Sequence, residues 1–236
     1  MENYIVEVVT PFQPPSSDAS LVLFADENVY TGHAEVLKYL MRCSQYALKN
    51  KTYLVSGMIE HDDNLCLSLF NPRGKAICRQ AALHLSLAQA NHLEPGDEVQ
   101  VIPTELGNLY LCVDEDIYHP QTMRTAALKG ADTILSLQQL DPAFDTPEQL
   151  LETAWNASQS NNVYVVNITS RGAAVTCPVP VTRARDGYLV KRTGIYPVRF
   201  GLNMKRLDEI REGLQLMESI NPALAVQYAD ELGGGW

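Results

Sequence analysis

Short apolar runs that break off into polar loops constrain this chain more than any other feature. "LVLFADE" (21–27), "LYLCV" (109–113), "TILSL" (133–137) and "VYVVNIT" (163–169) are runs of this kind. They have strand length and are too short for amphipathic helices. "YIVEVV" (4–9) alternates as a strand should, and "TPFQPPSSDAS" (10–20) is a turn-rich connector. Residues 52–60 and 64–72 read as a strand pair, and "RGKAIC" as a turn entering another strand. Residues 98–113 read as two strands around Gly107, and 187–200 as mixed.

Helical spacing occupies the intervals. Across 33–51, Val36, Leu37, Leu40, Met41, Tyr46 and Ala47 fall on one face. Residues 120–132 form a helix with a Gly near its end. Residues 146–162 open with Thr-Pro-Glu-Gln, an N-cap followed by a proline at the first helical position. Residues 203–220 read as a charged amphipathic helix and "ELGGGW" as a flexible tail at 231–236. Strands and helices alternate, yet strands also come in neighbouring pairs. The pattern predicts a mixed-sheet α/β protein, one domain over 1–236, with helices covering the sheets.

Charge and cysteine usage exclude several functions. The net charge of −10 gives no basic footprint for nucleic acid or an anionic membrane. No apolar run approaches the ~20 residues of a membrane span, and "MENYIVEVV" lacks the pattern of a secretory signal. The five cysteines are odd in number and form no C-x-x-C pair, which predicts free thiols in a reducing, cytoplasmic setting and no zinc site. The expectation is no metal and no cofactor.

Two segments share a design: "LVLFADENVYTG" and "LYLCVDEDIYHP" each run from an apolar strand into chemically capable side chains. Ligands in layered α/β folds sit at strand carboxyl ends, so Glu27 and Cys112 are natural site candidates. A nucleophilic cysteine needs a base or cation beside it, and a carboxylate in a dry pocket can be that base. The alternatives are a packed thiol and a solvated loop glutamate. Asp114, Glu115 and Asp116 read either as a pocket favouring an amine or as a solvated acidic loop. His119 reads as a substitute base or a loop residue. His84, Trp155 and Tyr164 read as structural.

Several ordered segments resemble the carbon–nitrogen hydrolase (nitrilase) superfamily over most of residues 4–212. "LYLCVDEDIYHPQTMRTAALKGADTILS" is similar to the family's nucleophile strand, its following helix with an arginine (Arg124), and the Gly-Ala-Asp entry to the next strand. "LFADENVYTG" places Glu27 at the general-base position. "YLVSG" with "LFNPRGKAI", and "SNNVYVVNITSRG", resemble later segments, with Asn161 and Asn162 where Glu-Asn is usual. The resemblance implies a four-layer α-β-β-α sandwich and a Glu–Lys–Cys triad that hydrolyses non-peptide C–N bonds of small amides through a thioester. It also implies a homodimer, with "PQTMRTAALKG" at the seam.

The sequence departs from that pattern in four places. The triad lysine position, two residues before His84-Leu85, is Ala82. A second family carboxylate falls on Gln89. Counted from Cys112, the following loop is about two residues longer than the commonest family form. The first crossover helix is missing, with only residues 10–20 in its place. Arg79 lies three residues from Ala82 and so points to the opposite face of a regular strand. Lys75 falls in a turn, and Lys129 near a helix end. Without an adjacent cation, Cys112 should stay protonated, and losing one preorganised donor typically costs roughly 10²–10³ in rate. Two readings follow: an amidase-type hydrolase of weak or lost activity using Cys112 and Glu27, or a non-catalytic binding or assembly module.

Overall fold

The structure is a computed structural model that describes residues 3–26, 28–139, 146–169 and 172–233. In chain order the first half supplies β1 (Asn3–Val9), β2 (Ala19–Phe24), β3 (Val29–Tyr30), α1 (His33–Asn50), β4 (Tyr53–Val55), β5 (Met58–His61), β6 (Asn64–Phe70) and β7 (Ala76–Ala81). The second half supplies β8 (Val101–Thr104), β9 (Gly107–Val113), α2 (Pro120–Leu128), β10 (Thr133–Gln138), α3 (Pro147–Asn161), β11 (Tyr164–Thr169), β12 (Gly172–Thr176) and β13 (Tyr188–Thr193). β14 (Val198–Asn203), α4 (Met204–Leu214) and α5 (Pro222–Gly233) complete it.

One mixed sheet runs β14-β1-β2-β4-β6-β5-β3, with β7 also paired to β6. The other runs β13-β12-β11-β10-β9-β8. β14 pairs antiparallel with β1, so the chain's two ends share a sheet. Three apolar layers follow from the period-2 alternation of the strands. Val6, Val8, Leu21 and Leu23 of the first sheet pack against Leu109, Leu111 and Val113 of the second. Val22 and Phe24 turn outward beneath α1. Tyr110 and Cys112 turn outward beneath α2 and α3. This is the α-β-β-α sandwich. Its register is firmly held, because a one-residue slip in β9 would exchange Leu109, Leu111 and Val113 for Tyr110 and Cys112.

The missing crossover helix is answered by one side chain. In the connector, Phe12 adopts a left-handed backbone (φ 64°) and lays its ring edge-on to Phe24 at 5.0 Å and Tyr39 at 5.8 Å. Arg42 of α1 sits over the same ring at 3.8 Å, and the Tyr46 hydroxyl donates to Gln13 O. Beside it, buried Glu7 accepts from Arg199 and from Ser16 N, while Arg199 also forks onto Asp18. The β1–β2 edge of this outward face is thereby closed without a second helix.

Three expectations need correction. The charged helix stops at Leu214, where Gln215 takes a left-handed C-cap; a short 3-10 turn over Leu216–Ser219 follows. The tail is helical through Gly233, and residues 234–236 lie outside the described residues. The 52–60 run is broken between β4 and β5 at Ser56–Gly57, where an added Cβ on Gly57 would meet Asp26 Cβ at 2.8 Å. α4 is locked down by Arg211, which pairs with Asp132 and donates to Ala131 O and Asn162 O. Thr146 caps α3 as its sequence predicts, accepting from Gln149 N.

Candidate functional site

The carboxyl ends of β7 and β9 meet across the interface between the two sheets. β9 runs into a 3-10 turn, Asp114–Tyr118, and the chain leaving β7 forms the loop from Ala82 to Asn91. Asp116 joins them. Its fully buried carboxylate accepts from Leu83 N (2.9 Å) and His84 N (2.9 Å), and from His84 Nδ1 (3.0 Å). Three donors on one carboxyl group hold the loop against the second sheet.

Asp114 is the residue at the mouth of this junction. It is 4% exposed and carries a positive φ of 49°, uncommon for a side chain with a Cβ and a mark of strain retained for position. Its Oδ2 accepts from Gln89 Nε2 at 2.6 Å and its Oδ1 from Gln139 N at 2.9 Å. Gln89 is itself fixed by Ser86 N, which donates to its Oε1. Burial pushes the Asp114 carboxyl up to about 6, against the lowering effect of these two donors. His119 lies flat on His84, ring centroids 3.4 Å apart. Burial and then the neighbouring imidazole hold His119 below the usual histidine range.

The structure therefore brings together Ala82, Gln89, Asp114 and His119 of the residues singled out from sequence, and adds Asp116 and His84. Ala82 is 1% exposed and belongs to the apolar layer between the sheets; its N–H donates to Leu65 O and its carbonyl accepts from Gly96 N. Arg79 is on the other side of its strand, against the His61 ring, as the spacing predicts. Lys129 Nζ reaches Val99 O and Glu98, away from the junction. Glu27 lies outside the described residues. The Asp26 beside it accepts from the Tyr30 hydroxyl at 2.9 Å, and Tyr30 stacks on Tyr39 at 3.7 Å.

Cys112 is placed differently. Two residues before Asp114 in an extended strand, it shares a face with Tyr110 and packs among Met123, Ala126 and Ile134 under the helices. Its exposure is zero. Burial first, and the Asp116 charge second, push its thiol well above the usual range. Burial of this kind disfavours the thiolate, the form in which a cysteine is nucleophilic. Asp116 was read from sequence as one of three loop acids. The signal that separates it is its spacing: it is the acid three residues past the strand end, and the turn directs it inward.

A model of the carbon-nitrogen hydrolase family matches residues 10–196. The chain belongs to the carbon-nitrogen hydrolase family. A curated relative, "Hydrolase C26A3.11" of Schizosaccharomyces pombe, is 30% identical over 105 residues, covering 39% of this chain and 33% of its own length. This chain thus matches only about a third of that relative. Among solved structures, Saccharomyces cerevisiae Nit3, from the nitrilase superfamily, superposes with TM-score 0.73 at 18% identity, covering 90% of this chain and 94% of that one. A carbon-nitrogen hydrolase from Helicobacter pylori gives 0.75 at 14% identity over 98% of both chains. An amidase from Nesterenkonia sp. gives 0.68 at 15% identity, covering 90% and 95%. These establish the sandwich. No helix among the described residues is long and apolar enough to cross a membrane.

Proposed function

We propose that this chain keeps the carbon–nitrogen hydrolase fold but not its cysteine acyl-transfer step. On this reading the β7–β9 junction around Asp114 and Gln89 binds a small amide-like molecule. The observation that carries it is the direction of β9: Cys112 faces the helix layer, and the strand-end residue with the left-handed backbone is Asp114. Taking Asp114 as the family's nucleophile position also removes the two-residue excess counted from Cys112, and brings Pro120 and Arg124 into step. The triad would then read Glu27, Ala82, Asp114: base retained, cation and thiol both replaced.

The substitutions are chemically consistent with each other. A carboxylate is a poor acyl carrier for an amide, because it is a weak nucleophile and the mixed anhydride it would form lies well above the amide and collapses back to it. It is a good hydrogen-bonding partner for an amide or amine. With Gln89 beside it, the pair offers a donor and an acceptor whose balance shifts with pH. Asp116 holds the loop through which Gln89 is delivered. Five unpaired, buried cysteines support a reducing, cytoplasmic setting. Association as a homodimer through α2 is part of the same reading.

The test is a thiol electrophile titration followed by mass spectrometry, alongside hydrolysis of simple aliphatic amides. The expected result is no labelling of Cys112 in the folded chain and no turnover. Installing Ala82→Lys with Asp114→Cys should create a reactive thiol at position 114; Ala82→Lys alone should not activate Cys112. Fast labelling of Cys112 in the unaltered chain, or turnover abolished by Cys112→Ala, would overturn the proposal.

A further inference from the structure

Two exposed apolar stripes lie on α1 and α5. On α1, Leu37, Met41 and Leu48 fall within about 40° of one another around the helix at its ~100° per residue, and stand 44–63% exposed. On α5, Leu224, Tyr228 and Leu232 follow one another at four-residue spacing and are 45–62% exposed. A helix of α5's length is marginal in water unless one face is packed. Yet every α5 side chain described is exposed.

Charge distinguishes the two faces. The α1 stripe runs between two basic borders. Lys38, Arg42 and Lys49 flank it on the helix itself, and Arg73 and Lys75 on the β6–β7 turn, which is tied to α1 by the Ser44 hydroxyl donating to Gly74 O. This concentration is unusual in a chain of net charge −10. The segment from 215 to the C-terminus carries Glu218, Asp230 and Glu231 and no lysine or arginine.

We propose that α5 of one copy docks along α1 of a second copy, a head-to-tail contact. The same chain cannot close it on itself. α1 covers the outer face of the first sheet, whereas α5 departs from the 3-10 turn packed on α3, anchored by Arg124 Nη1 donating to Met217 Sδ, on the outer face of the second sheet. This contact joins unlike surfaces and is separate from the α2 seam, so it links copies, or pairs joined at α2, into rings or open chains. Two short helices bury less than a standard interface, so association is weak and depends on concentration and salt.

Sedimentation velocity of the full chain, across a concentration series at low and high salt, tests this. Expected is a mass that rises with concentration at low salt and less at high salt. Full-chain Met41→Glu/Leu48→Glu and Leu224→Glu/Tyr228→Glu variants should each weaken that rise by ~10-fold or more, both retaining the wild-type circular dichroism because the altered residues are exposed. Mixing the two variants should restore a single contact, since one supplies an intact α5 and the other an intact α1. The inference is overturned by concentration-independent mass in the wild type, by unaltered association of the α1 variant, or by failure of the mixture to recover. Unaltered association of the α1 variant with loss in the α5 variant would place α5 on the α2–α3 face instead.

Discussion

Replacing Asp114 by Asn should stabilise the protein at neutral pH and leave it no more stable in acid. The folded-state carboxyl is raised to about 6 by burial, whereas an unfolded aspartate titrates near ~3.9. Between those values the folded protein keeps a proton that the unfolded chain has released. Stability is therefore full below about pH 4 and falls as pH rises through about 6. Two units of difference amount to about 3 kcal/mol. The Asn variant has no such dependence at this position. Its Oδ1 still accepts from Gln139 N, but its amide nitrogen meets Gln89 Nε2, so Gln89 must turn its amide and give up the bond from Ser86 N, costing about 1 kcal/mol. The net expectation is a gain of about 2 kcal/mol at pH 7 that disappears by pH 4. Urea unfolding of both proteins from pH 4 to 7 measures it, and taking the difference cancels every group common to the two. Parallel curves, or a gap that widens toward acid, would refute the claim that Asp114 is buried and ionised at cost.

Other expectations follow from single contacts. Asp116→Ala leaves two backbone N–H groups and an imidazole without their acceptor and should cost about 3–5 kcal/mol in urea unfolding, with protease cleavage appearing between residues 83 and 92. Phe12→Ala retains the left-handed backbone but removes the ring that Phe24, Tyr39 and Arg42 contact; about 2 kcal/mol should be lost, read as a lowered Tm. Ala82→Lys alone forces an ammonium and four methylenes into the layer between the sheets, and should lower stability by about 1–3 kcal/mol from overpacking with no gain in amide hydrolysis.

The fold was readable because its strands are apolar on both faces and its helices on one. Val36, Tyr46 and Ala47 mark the buried face of α1 in sequence and structure alike, but Leu37 and Met41, read onto the same face, stand exposed, and Tyr39 and Cys43 are buried in their place. Where reading failed, the residues give no local sign. Leu224, Tyr228 and Leu232 do form a stripe, but the glycines after them suggest a loose tail, and the stripe has no partner within the chain to confirm it. Within the site, Ala82 and Gln89 were found from spacing to His84. On β9 the thiol of Cys112 is the more conspicuous chemical group, whereas the proposed reading gives the nucleophile position to Asp114. Parity along β9 places that thiol with Tyr110 on the helix side, but the sequence does not say which face of the strand the site uses. The two-residue surplus in the following loop was the available sign.

The connector that stands where the resemblance implies a crossover helix, and Ala82 where it implies the triad lysine, both border the first sheet. In a sandwich of this kind the outer helices shield the sheets, and the site is built from strand ends and loops between the sheets. A helix can therefore be exchanged for a connector without disturbing the site, provided the exposed sheet face is sealed. Phe12, the Arg42 guanidinium above it and the Glu7–Arg199–Asp18 cluster do that sealing at the β1–β2 edge. The lysine-to-alanine change at position 82 is of the opposite kind. It lies on the inner layer, where an ammonium would need a carboxylate to balance it, and the carboxylates present are already engaged: Asp116 by loop donors, Asp114 by Gln89 and Gln139. With Ala82 the inner layer is apolar at this point, so on the proposed reading the fold holds without a lysine there. The chemistry could lapse while the sandwich stayed intact, which is why stability variants at Asp114 and Asp116, rather than fold-breaking ones, are the informative probes of this site.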